Sequence, residues 1–175
     1  MREIKKQLRR ELKARRAAMD LQEKSAADER IFEQLKPYAE KASGVFCYVS
    51  TEIEVDTRRF LRFCFERGIP VAVPVSGDTE LTFCKISSFA DLTEGRFGIL
   101  EPAVKAPAEP DENTLCVVPA LCADGYGLRL GYGRGYYDRF LSGFRGTSVI
   151  ICYEDFRMEV PAEPHDKRAD ITLFG

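Results

Sequence analysis

The segment Arg129-Leu130-Gly131-Tyr132-Gly133-Arg134-Gly135-Tyr136-Tyr137-Asp138 concentrates groups that could do chemistry. Glycine reaches backbone angles closed to other residues and lets the main chain approach a ligand. The amides of residues 131–135 can converge on phosphate oxygens, and a helix starting near Tyr136 adds the positive end of its dipole. Arg129 and Arg134 can supply paired, charge-assisted hydrogen bonds. The spacing is G-x-G-x-G, not the G-x-G-x-x-G of dinucleotide sites, and no Lys-Ser/Thr follows the last glycine as in a P-loop. A glycine-rich turn with solvated arginines is the competing reading.

Other candidates lie far away in the chain. Lys5 and Arg9 are four apart and share a helix face, and Lys13 extends the row. Such a row suits a triphosphate, although taken alone it reads first as a solvated helix face. Glu54 comes a few residues after an apolar run, near the edge where ligands bind to parallel sheets. A carboxylate before a helix is favourable there without a ligand. Asp138 falls in a first helical turn, where the same applies. Asp166 sits among His165, Lys167 and Arg168, and His165 is the single histidine. The six cysteines form no C-x-x-C pair, which argues against zinc or dithiol chemistry. Most stand in apolar runs, as small reduced core residues of a cytoplasmic protein.

Positioning these groups requires alternating strands and helices. Ile4, Leu8 and Leu12 predict an apolar stripe on a helix over 3–18. A second helix is expected after Ser25 as N-cap, and a third capped by Asp56 or Thr57. Apolar runs at 44–49, 69–75, 81–86, 115–119, 147–153 and 171–174 read as strands, and a further helix is expected from Tyr136. Residues 100–113, with Pro102, Pro107 and Pro110, read as an irregular surface connection. The pattern is α/β: a mainly parallel sheet covered by helices on both faces, in one domain over 1–175.

Composition excludes several classes. Lys+Arg 26 against Asp+Glu 28 gives a net charge of −2, unlike a general nucleic-acid binder. No apolar run approaches the length of a membrane span, and the N-terminus lacks the apolar stretch of a signal peptide. The basic start (Arg2, Lys5, Lys6, Arg9, Arg10, Lys13, Arg15 and Arg16 against Glu3 and Glu11) points to a small anionic ligand or, as an alternative, RNA.

The run from Pro119 to Leu141 resembles the signature of 5-formyltetrahydrofolate cyclo-ligases. That signature is a Pro-containing strand end, then Phe-Asp, then R-L-G-x-G-x-G-Y-Y-D, in which Gly, Lys or Arg fills the sixth place. Lys5-Lys6-Gln7-Leu8-Arg9 is similar to the family's N-terminal K-x-x-L-R. Glu54-Val55-Asp56-Thr57 resembles its acidic–aliphatic–acidic–Thr run, and His165-Asp166 with Asp170 its C-terminal H-D-x-x-x-D. Ala123 departs from the pattern, standing where the family usually has Phe.

The resemblance implies a three-layer fold of the sugar-phosphate isomerase/CoA-transferase-like kind. It implies ATP-dependent closure of 5-formyltetrahydrofolate to 5,10-methenyltetrahydrofolate, with Mg²⁺ as cofactor. ATP would be held by Lys5, Arg9 and the loop Arg129, Leu130, Gly131, Tyr132, Gly133, Arg134, Gly135, Tyr136 and Tyr137. Arg129 and Arg134 would carry catalysis. Val49, Glu54 and Tyr136 would bind folate, with Glu54 matched to the pterin's amino-pyrimidinone edge. Asp138 and Asp166 would contribute to the metal. The partners implied are small molecules, with no nucleic acid, no membrane and a monomeric chain. A sugar-phosphate isomerase on a related fold is the main alternative enzyme; it would need a positioned base and no nucleotide.

Overall fold

The computed structural model describes residues 1–95 and 98–175. A sheet of six strands runs β10 (Ile171–Phe174), β9 (Thr147–Cys152), β6 (Thr114–Pro119), β1 (Gly44–Cys47), β2 (Val71–Ser76) and β3 (Leu81–Ile86). All neighbours are parallel except β2 and β3, an antiparallel hairpin. Every residue of β6 is buried, as expected for a continuous apolar strand covered on both faces. Pro74 lies in β2 opposite Phe83, beyond the short stretch where β1 pairs with β2. Its missing N–H therefore breaks no β1 hydrogen bond.

Helices cover both faces. Phe46 of β1 stacks on Phe83, and Phe140 of α4 (Tyr136–Leu141) packs over Phe83 with ring centroids 4.8 Å apart. Cys47, the next residue of β1, points to the opposite face, where Cys64 of α3 (Arg58–Glu66) approaches it. The helix α2 (Leu21–Ala39) joins α3 there through Phe32 and Phe63. All six cysteines are buried and free. Among the described residues no helix is long and apolar enough to cross a membrane.

Three elements differ from expectation. The second helix begins at Leu21, because Asp20 accepts hydrogen bonds from the Gln22 and Glu23 N–H groups and caps it before Ser25 is reached. The 100–113 stretch is partly ordered: β5 (Leu100–Pro102) pairs with β4 (Leu92–Glu94), and Lys85 N–H donates to the Ala106 carbonyl alongside β3. Prolines are tolerated there because an edge does not need every donor. In α1 (Arg2–Ala17), Leu12 is buried but Ile4 is 60% exposed, and Lys5 and Arg16 take the inward positions instead.

Candidate active site

The inward face of α1 consists of Lys5, Arg9, Leu12 and Arg16, at steps of four, three and four, which is one side of a helix. Arg16, only 3% exposed, donates to the carbonyls of Ala120 and Leu121 beyond β6 and of Ile53 beyond β1. The helix is thereby pinned across the carboxyl ends of two parallel strands, the edge where such sheets bind ligands. Arg9 Nε donates to the Gly131 carbonyl at 2.8 Å, and Lys13 lies over the Tyr132 ring. Arg9 and Lys13 thus face the glycine loop.

A small hairpin beyond β6 leads into the loop. It pairs the short strands β7 (Cys122–Ala123) and β8 (Arg129–Leu130), and its turn is held by Asp124 Oδ1 accepting from Tyr126 and Leu128 N–H. Ala123 is fully buried in it. Beyond β8, Gly133 has φ +98°, and a Cβ there would lie 3.0 Å from the Arg9 guanidinium carbon. The backbone angle at 133 favours glycine, and a side chain there would also crowd the Arg9 guanidinium. Gly135, at φ +67°, caps α4.

Arg129 turns inward. Its guanidinium donates to Asp138 Oδ1 and to the Lys167 carbonyl, both at 3.0 Å, and its side chain is 4% exposed. Lys167 N–H donates back to Asp138 at 3.1 Å. Asp138 and the residue following Asp166 are therefore in direct contact, which brings the two aspartates into one neighbourhood. Arg134 is exposed at the loop tip, and its carbonyl accepts from Arg139.

Lys5 meets Asp166 at 2.6 Å and Glu163 at 2.8 Å. Burial alone would raise the Asp166 carboxyl, but the hydrogen bonds of Lys5 and the Glu163 N–H and the lysine charge hold it below the usual carboxylate range. Glu163, His165 and Asp166 can bring one ligand atom each within 4.8 Å of the others. The carboxylates of Glu163 and Asp166 in this group are hard oxygen donors of the kind Mg²⁺ prefers, and Asp138 is a further carboxylate joined to the same segment through Lys167.

Glu54 is 9% exposed, and its Oε2 accepts from the Thr51 N–H and hydroxyl. Burial, then the Glu54 charge, pushes the Tyr132 phenol up. The Tyr132 phenol lies within reach of the Glu54 carboxylate, while the buried Tyr137 hydroxyl has no hydrogen-bond partner among the described residues. A polar ligand could satisfy such a buried group. Val49 is buried nearby in the chain, while the Tyr136 hydroxyl donates to the Gly77 carbonyl in the β2–β3 turn.

The whole chain, residues 1–175, matches the model of the 5-formyltetrahydrofolate cyclo-ligase family. The chain belongs to the 5-formyltetrahydrofolate cyclo-ligase family. It is 34% identical over 139 residues to the 5-formyltetrahydrofolate cyclo-ligase of Mycolicibacterium smegmatis, covering 72% of this chain and 71% of that one. It is 28% identical over 153 residues to a probable 5-formyltetrahydrofolate cyclo-ligase of Caenorhabditis elegans, covering 81% and 74%. The NMR structure of Aquifex aeolicus 5,10-methenyltetrahydrofolate synthetase superposes with a TM-score of 0.86 at 27% identity, over 98% of this chain and 89% of that one. As a cyclo-ligase family member the chain is an enzyme, of the same α/β fold as that synthetase.

Within this cyclo-ligase fold, the motifs at 5–9, 129–138 and 165–166 are joined by hydrogen bonds although up to 161 positions separate them. Sequence reasoning missed Arg16 and the contact of Tyr132 with the Glu54 environment. The helical spacing Lys5, Arg9, Leu12, Arg16 carries a signal for the first. Tyr132 stands in the loop motif, but nothing in the sequence places its phenol against Glu54.

Proposed function

We propose that this protein closes 5-formyltetrahydrofolate to 5,10-methenyltetrahydrofolate at the expense of ATP, releasing ADP and phosphate. The observation that carries the reading is Arg9 lying on the Gly131–Gly135 loop, which sets a helix cation and the loop amides on one surface. This surface takes the triphosphate, with Lys5 and Arg9 on its α1 side and Arg134 toward the group in transfer. Glu54 accepts paired hydrogen bonds from the pterin's amino-pyrimidinone edge, with Val49 and Tyr136 contributing to the folate site. The buried Tyr137 hydroxyl finds a partner when the site fills.

The formyl oxygen attacks the terminal phosphorus of ATP, and the bond to the bridging oxygen breaks to release ADP. The formyl carbon becomes iminium-like and carries a phosphate leaving group. The neighbouring folate nitrogen attacks that carbon and gives up its proton, and the carbon–oxygen bond breaks to release phosphate. No protein nucleophile is required. Burial pushes the nearby Cys152 thiol up to about 12, so it stays protonated at neutral pH. Catalysis consists of positioning and of stabilising charge on the transferring phosphoryl group. Arg129, buried against Asp138, acts as a positioning residue for the loop and for that aspartate. Mg²⁺, held by Asp138 and Asp166, would neutralise phosphate oxygens when bound.

Phosphate release tests the reading. Inorganic phosphate should appear in equal amount to the 5-formyltetrahydrofolate consumed, and only when both substrates are present. Phosphate release from ATP that is indifferent to the folate would refute it.

A further inference from the structure

Two consecutive carbonyls of the Glu54 loop are gripped from outside by two side chains that stack on each other. Arg16 Nη1 reaches the Ile53 carbonyl at 3.3 Å, and the Tyr153 hydroxyl lies 2.9 Å from the Glu54 carbonyl. The Arg16 guanidinium sits 5.0 Å from the centroid of the Tyr153 ring. The phenolic hydrogen has a second acceptor, Asp28 Oδ1, at 2.8 Å. The same carboxylate oxygen accepts the Asp56 N–H at 2.9 Å, and the other oxygen accepts Lys24 Nζ at 2.7 Å. Groups from α1, α2 and the residue after β9 thus hold residues 53, 54 and 56 of one short loop.

Tyr153 is among the largest fully buried side chains, so its ring serves the core. A Phe at 153 would fill the same space, and a buried phenol that lost its acceptors would be costly to retain. The hydroxyl of Tyr153 therefore serves the contacts it makes, which converge on the backbone that aims Glu54. Within the loop, Thr51 N–H donates to Glu54 Oε2 and Ser50 N–H to Thr57 Oγ1, while the Tyr48 hydroxyl donates to the Val55 carbonyl and the Thr57 hydroxyl to the Tyr48 carbonyl. The outer contacts add to these bonds at the carbonyls of Ile53 and Glu54, the backbone on either side of the Glu54 side chain.

We infer that Tyr153, braced by Asp28 and stacked on Arg16, is a positioning residue that aims the Glu54 carboxylate at the folate. The inference rests on the proposed folate site. Rigid placement of a binding carboxylate preserves affinity, because ordering a loose loop would otherwise oppose binding. ATP, which is held by the glycine loop, should be indifferent to this brace.

The variants Tyr153→Phe and Asp28→Asn test it, each being close to the native side chain in size. Two measurements are made on each: 5-formyltetrahydrofolate affinity by calorimetry, with the apparent KM for ATP from turnover; and amide hydrogen exchange over residues 50–57 without ligand. The expected result is faster exchange in that loop and folate binding weakened about five- to tenfold, the usual reach of one hydrogen bond, with the KM for ATP unchanged. Unaltered loop exchange, or faster exchange with wild-type folate affinity, would overturn the inference. Equal loss of folate and ATP affinity would also overturn it, since that marks a general structural role. Failure of the wild-type protein to bind folate would instead refute the functional reading and remove the inference with it.

Discussion

Lys5 and Asp166 stand 161 positions apart and meet at 2.6 Å, with Glu163 completing a three-centre ion cluster at 2.8 Å from the same ammonium. The residue that the proposed reaction assigns to phosphate and the residue it assigns to Mg²⁺ are thus partners in the folded chain. MgATP offers each of them a new partner of the right sign at once.

The pH dependence of this cluster has two edges. Burial alone would lower the Lys5 pKa, but its hydrogen bonds to Asp166 and Glu163 raise it above the ordinary value. Its stabilisation is complete below the unfolded value of about 10.4 and fades as pH rises through the folded one. Asp166 is shifted down, so its stabilisation is present above the unfolded value of about 3.9 and is lost as pH falls through the folded one. Urea unfolding of wild type and Lys5→Met should therefore differ most between about pH 5 and 9, where Lys5 and both carboxylates are charged. The difference should shrink toward pH 3 and above pH 11. A difference that persists undiminished in acid would contradict the assignment.

Glu54→Gln keeps the side chain's size but exchanges one acceptor for a donor. Folate affinity measured by calorimetry should fall by about 1–3 kcal/mol, the cost of leaving a buried polar partner unmatched. The apparent KM for ATP should stay put.

Gly133→Ala and Gly127→Ala separate a ligand loop from a structural turn. At 133 the new methyl meets φ +98° and the Arg9 guanidinium at 3.0 Å. The expected outcome is a higher apparent KM for ATP with a stability loss of about 1–3 kcal/mol. At 127 the methyl would lie 2.3 Å from the Ala169 carbonyl oxygen at φ +87°. That variant should melt much earlier, and any surviving folded protein should keep its ATP affinity. Arg9→Ala should reproduce the ATP defect of Gly133→Ala without its loss of stability.

The sheet was legible because its strands are apolar runs too short for helices and bounded by turn residues, as in Val45–Cys47, Leu115–Val118 and Val149–Cys152. The face of α1 was not legible in the same way. Ile4, Leu8 and Leu12 obey helical spacing as well as Lys5, Arg9, Leu12 and Arg16 do, and hydrophobicity favours the first set. Burial of Lys5 and Arg16 is decided by partners that only the tertiary fold brings: Asp166, and the carbonyls of residues 53, 120 and 121. For the same reason Arg129 and Arg134 looked equivalent in sequence. One faces Asp138 in the interior and the other stands at the loop tip.

That difference predicts opposite phenotypes. Arg129→Ala leaves Asp138 without its buried cation and should cost about 2–3 kcal/mol of stability, discounted because Asp138 keeps partial contact with water. Arg134→Ala should melt within about 2 °C of wild type, as for an exposed substitution, and turn over about 10²–10³-fold more slowly. Melting temperature and turnover measured on the same preparations distinguish the two.

The central claim is ATP-driven ring closure on a reduced folate, and the absorbance of the methenyl product tests it most directly. Purified protein with 5-formyltetrahydrofolate and Mg²⁺ should develop that absorbance on addition of ATP and remain silent without it. Product formation that proceeds equally without ATP, or no product with ATP present, would contradict the account.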